Sequence, residues 1–183
     1  MMNDRRLLDQ FFADPDCRTI RRCIQCGTCS GSCPLGAEMD AAPRELFALI
    51  RDGDMEAALH ANTPWFCVSC YQCMDRCPQQ IPVADIMYRL KQMAVAAGSR
   101  PRSHKLPDFY RALADDIAAN GRMTESHVIA RYGLQHPMDA AANTKTAFKL
   151  LARRRLDLIP GRTRHPEQIA ALTVNCRKKD GAP

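Results

Sequence analysis

The chain has 183 residues, enough for one domain or a small domain with an extension, and for a moderate core without covalent staples. Its 26 basic and 20 acidic residues leave a formal charge of +6, and its ten cysteines are far more than core packing asks for. Disulfide frameworks belong to secreted and usually shorter chains. The opening stretch, MMNDRRLLDQFFADPD, has no apolar run followed by small residues, and Arg5-Arg6 leads into no apolar segment of the twin-arginine kind. Nothing approaches the ~18 apolar residues of a membrane span. The expectation is a soluble, cytoplasmic protein with reduced thiols, in which clustered cysteines mean metal or redox chemistry.

Residues 4–13 read as a helix with Leu7, Leu8, Phe11 and Phe12 apolar. Cys17 follows alone. Residues 23–34, CIQCGTCSGSCP, then hold four cysteines and a proline. Asp40 and Pro43 open a helix through Leu46, Phe47, Leu49 and Ile50, with Gly53 as its stop. Asp54 can cap a second short helix, MEAALHA. Thr63-Pro64 starts a turn into Trp65, Phe66 and residues 67–78, CVSCYQCMDRCP. A longer helix runs from about Pro82 to Gly98, with Val83, Ile86, Met87, Leu90, Met93 and Ala94 as its apolar stripe. SRPRSHKL, residues 99–106, looks like a basic linker. Pro107 opens a helix stopped by Gly121, and Thr124 caps one ending at Gly133. Another spans Asn143 to about Arg155, and the last runs from Pro166 toward Cys176. No segment has a persuasive strand period. The predicted fold class is all-α, with a two-site domain over 1–98 and a helical extension over 99–183.

The cysteine clusters are one motif written twice. Cys23, Cys26, Cys29 and Cys33 recur 44 residues later as Cys67, Cys70, Cys73 and Cys77, and Pro34 recurs as Pro78. The spacing is C-x2-C-x2-C-x3-C-P. Three thiols at steps of three wrap one face of a small inorganic cube, and the chain cannot easily bend back to offer the fourth corner. In two-cluster ferredoxins the cysteine before proline ligates the other cluster. The spacing therefore assigns Cys23, Cys26, Cys29 and Cys77 to a first 4Fe-4S cluster, and Cys67, Cys70, Cys73 and Cys33 to a second. Structural zinc prefers two separated pairs of ligands, which this pattern lacks. Gly27 is expected to let the backbone approach its cluster.

Two such clusters on eight thiolates would contribute about −4, bringing the holoprotein near +2. The basic balance is then a weak argument for nucleic acid. Arg153, Arg154 and Arg155 read as solvated charges at a helix end. The five histidines show no ligand spacing. Cys17 and Cys176 read as free thiols. No phosphate loop, dinucleotide fingerprint or defensible Ser/His/Asp order is present, so no catalytic residue is assigned and any chemistry on substrate is expected in partner subunits.

IRRCIQCGTCSGSCPLG followed by TPWFCVSCYQCMDRCPQQIPVADIMYRLKQMAV resembles the C-type iron–sulfur subunit of heterodisulfide reductase and its bacterial relatives. The resemblance is strongest over residues 17–98. It implies an α-helical ferredoxin fold with two 4Fe-4S clusters, all eight ligand positions being present. It also implies an electron relay between a flavin-bearing A-type subunit and a B-type subunit that makes or breaks a disulfide. In bacterial sulfur oxidation a lipoate-binding protein is the expected substrate carrier. The alternatives are the iron–sulfur subunit of a glycolate, lactate or glycerol-3-phosphate dehydrogenase or of a fumarate-reductase-type enzyme, and, less favoured, an iron–sulfur regulator that binds DNA.

Overall fold

The computed structural model describes the backbone of residues 2–153, 155–156 and 161–179, with side chains described from residue 4 to residue 172 within those ranges. Arg154 and the side chain of Cys176, both singled out in the sequence, lie outside the described residues. The described residues are helical and contain no strand. The chain divides into two compact units, Met1–Ser103 and His104–Pro183.

The first unit begins with helices α1 (Met2–Ala13) and α2 (Pro15–Arg18) and a 3-10 turn over Thr19–Arg22. Short α3 (Thr28–Gly31) lies inside the first cysteine loop and α7 (Gln72–Asp75) inside the second, again 44 residues on. Between them come α4 (Pro43–Asp52), α5 (Met55–His60) and α6 (Thr63–Phe66), and α8 (Val83–Ala96) follows. Helices α4, α5 and α8 match the expected elements closely. Pro43 opens α4, where its missing N–H would have had no helical partner. The Glu45 carboxylate accepts from the Ala42 N–H at 3.0 Å, and Gly53 ends the helix in the left-handed region. Asp54 caps α5 by accepting from the Ala57 N–H at 2.9 Å.

Helix α8 is the spine of this unit. All six residues of its expected apolar stripe are buried, and α2, α5, α6 and α7 pack against it. Phe11 of α1, Ile20, Leu46, Phe47 and Leu59 complete the core. A reciprocal pair pins the entry to the second motif. The Asp40 N–H donates to the Asn62 side-chain oxygen, and the Asn62 N–H donates to the Asp40 carboxylate. The Thr63 hydroxyl, also buried, donates to the Ala41 carbonyl. Cys17 is fully buried, and burial, followed by the charge of Asp14, pushes its thiol up to about 12. It stays a protonated core residue.

The second unit holds α9 (Lys105–Asn120), α10 (Glu125–Gln135), α11 (Pro137–Ala152) and α12 (Pro166–Lys179), with α10 and α12 against α9 and α11 against α10. Three boundaries differ from the sequence reading. Helix α9 begins two residues before Pro107, because a proline in the first turn gives up only an N–H that has no helical acceptor. Helix α10 runs through Gly133, which is a contact point and not a stop: a Cβ there would sit 3.2 Å from the Ala140 Cβ. Helix α11 starts at Pro137, six residues before Asn143, through an alanine-rich stretch that shows no stripe.

Thr124 does not cap α10 with its hydroxyl. The buried Asp116 carboxylate does the local bonding instead. It accepts from the Thr124 N–H at 2.7 Å and the Asn120 amide at 2.9 Å, and His127 lies 3.4 Å away. Gly121, at φ +74°, makes the sharp stop after α9, and a Cβ there would collide with Thr163.

Candidate iron–sulfur site

Each cysteine loop is shaped by backbone that glycine favours, but only one position uses glycine. Gln25 and Ser69 sit at φ +58° and +56°, and Gly27 and Tyr71 at +80° and +61°. Both pairs are 44 residues apart, so the duplication repeats the conformation as well as the cysteines. Gly27 is the position where that left-handed backbone suits glycine, and a Cβ there would meet the Arg44 side chain at an ordinary 3.6 Å. Tyr71 adopts the same conformation at a cost of roughly 1 kcal/mol or more.

The eight thiols surround two cavities. One, about 350 Å³ and open to solvent, is lined by Cys23, Cys26, Cys29 and Cys77. The other, about 430 Å³, is lined by Cys67, Cys70, Cys73 and Cys33. Each thus has three thiols from one motif and one from the other. Val83, at the start of α8, lines both. All eight are free of disulfides. Among the described residues no three of His, Cys, Asp or Glu converge to hold a single metal ion. Four thiols spaced around a cavity are instead the donor set for a wider, sulfur-bridged group.

The surroundings of the two cavities differ. The Gln25 amide donates to the Cys23 sulfur at 3.6 Å, Thr28 Oγ1 lies 3.3 Å from the Cys26 sulfur, and the Ile81 N–H donates to the Cys77 sulfur at 3.5 Å. The Cys23 carbonyl accepts from Arg51 at 2.7 Å; its repeat counterpart, the Cys67 carbonyl, accepts from Lys91 at 3.3 Å. At the second loop the Ser69 hydroxyl turns to Tyr88 and the Tyr71 hydroxyl to Asp85. The free thiols follow these contacts. The Thr28 side chain and N–H lower Cys26; burial raises Cys29; burial and then the neighbouring Cys67 charge push Cys73 up to about 11. Loading iron must displace protons from these thiols. The sequence marks the first loop as small and polar through Gln25 and Thr28, which become Ser69 and Gln72 in the repeat, whereas Arg51 and Lys91 were absent from the sequence reading.

Residues 22–81 match the model of the 4Fe-4S dicluster domain. The C-type subunit of the ferredoxin:CoB-CoM heterodisulfide reductase of Methanosarcina mazei is 38% identical over 88 residues, 47% of this chain and 53% of that protein. A C-type iron–sulfur subunit of the CoB–CoM heterodisulfide reductase of Methanocaldococcus jannaschii is 29% identical over 109 residues, 59% of this chain and 58% of that protein. The chain carries a 4Fe-4S dicluster domain and is similar to C-type subunits of heterodisulfide reductases. It spans about half the length of the curated relatives it matches. The dicluster domain makes it an iron–sulfur protein with two 4Fe-4S clusters. No helix among its described residues is long and apolar enough to cross a membrane.

Proposed function

We propose that the chain relays electrons inside a heterodisulfide reductase-like complex, between a flavin-bearing A-type subunit and a B-type subunit that processes a disulfide or a sulfur species. In this reading Cys23, Cys26, Cys29 and Cys77 hold one cluster, and Cys67, Cys70, Cys73 and Cys33 hold the other. When bound, these clusters supply one-electron carriers. The protein's own part is to hold them, set their potentials, and keep them near each other and near the surface. The observation that carries the reading is the pair of four-thiol cavities sharing Val83 in their walls. Two carriers whose cavities share a wall residue suit conduction. With four thiols at each cavity, neither leaves an obvious open iron for substrate, so chemistry on substrate belongs to the partners. The proposal includes a cytoplasmic setting and a ferredoxin domain over 1–98 whose extension, 99–183, serves the assembly.

Anaerobic affinity purification of the full chain from its native host tests this. The expected result is stoichiometric co-purification of a flavoprotein and a cysteine-rich B-type subunit. A lipoate-binding protein in the same complex would assign the substrate to carrier-bound sulfur. A flavin-dependent hydroxy-acid dehydrogenase as sole partner would overturn the choice of complex.

A further inference from the structure

We propose that the Cys23–Cys26–Cys29–Cys77 cavity holds its cluster at the higher reduction potential, so that electrons run downhill to it from the Cys67–Cys70–Cys73–Cys33 cavity. The inference rests on the ligand sets proposed above. In the transfer one electron leaves one cluster and enters the other, with no bond made or broken.

Reduction adds negative charge to a cavity. Hydrogen bonds onto sulfur, nearby cations and solvent each favour that added charge, and apolar walls oppose it. The two cavities differ in two of these respects, the hydrogen bonds onto sulfur and the nearby charges. Hydrogen bonds to sulfur from Gln25, Thr28 and the Ile81 N–H fall on the first set of thiols. The repeat breaks at each side-chain donor: Gln25 becomes Ser69, which bonds Tyr88 instead, and Thr28 becomes Gln72. The first cavity also has Arg44 in its wall and Arg51 on the Cys23 carbonyl. The second has Lys91 on the Cys67 carbonyl, but the Asp85 carboxylate faces it through Tyr71. Both cavities have largely apolar walls, so the walls do not separate them. Lys91 is half-buried and works against the difference; Arg51 is exposed and solvent screens its charge. The sulfur hydrogen bonds therefore set the sign.

The experiment is an anaerobic dithionite titration of the iron-loaded full chain, followed by low-temperature EPR. The expected result is two separable one-electron steps. Thr28→Val and Arg51→Gln should each shift the upper step downward and leave the lower one in place, whereas Lys91→Met should shift the lower step. Arg51→Lys should restore the upper step, which a merely loosened loop would not do. Movement of the lower step by Thr28→Val, or a single step that none of these changes resolves, overturns the proposal. Failure of the ligand sets is seen separately. In Cys33→Ala the surviving step should still answer to Thr28→Val. If it answers to Lys91→Met instead, the ligands are not exchanged between motifs, and the order of the two steps in the unaltered chain still decides the sign.

Discussion

Cys33 and Cys77 occupy the same position in the two halves of the duplication, yet each lines the cavity built by the other half. A change at either should therefore act at a distance in sequence. Cys33→Ala is expected to halve the iron content by removing the cluster of Cys67, Cys70 and Cys73, while Cys77→Ala removes that of Cys23, Cys26 and Cys29. Iron analysis with EPR checks this, and loss of the cluster nearest in sequence would contradict it. The ligand positions were legible in the sequence because chemistry ties thiol spacing to one kind of group. The tuning contacts were not. Arg51 and Lys91 lie 28 and 24 residues beyond the cysteines whose carbonyls they reach, and only the packed helices bring them there.

Helix existence followed from stripes and breakers wherever a helix has one buried face. The stripe of α8 and the caps of α4 and α5 are of this kind. Helix α11 has no buried residue, so its start left no periodic trace. The junction of α9 and α10 depends on Asp116, an acid that sequence patterning assigns to the surface. Its carboxylate receives the Thr124 N–H and the Asn120 amide within the buried joint. Asp116→Ala should therefore cost about 2 kcal/mol, because it leaves the buried Thr124 N–H without an acceptor. Urea unfolding of the full chain, followed through the second unit by hydrogen exchange, measures it. A cost indistinguishable from that of a surface substitution such as Asp115→Ala would show the joint to be held by packing alone.

Among the described residues of the first unit, four non-glycine residues stand in the left-handed region: Gln25, Ser69, Tyr71 and Gln80. Each costs on the order of 1 kcal/mol and persists only where its surroundings enforce it. Most of this strain lies in the cysteine loops, where side-chain bonds from Ser69 and Tyr71 to α8 are among the few contacts that hold it. Iron removal by an anaerobic chelator should therefore relax residues 23–34 and 67–78 first and then loosen the helices between them. The expected readout is lost far-UV helicity and lost exchange protection across residues 17–98. Unchanged helicity in the apoprotein would mean that packing alone holds the loops.

The exchange of one thiol between cavities also bears on how the protein is built in the cell. Filling either cavity fixes a loop that carries the last ligand of its neighbour, so the first loading event prepares the site for the second. Half-filled chains should be scarce during maturation. Oxidative loss of one cluster should likewise expose the other, so that damage, like assembly, proceeds by pairs.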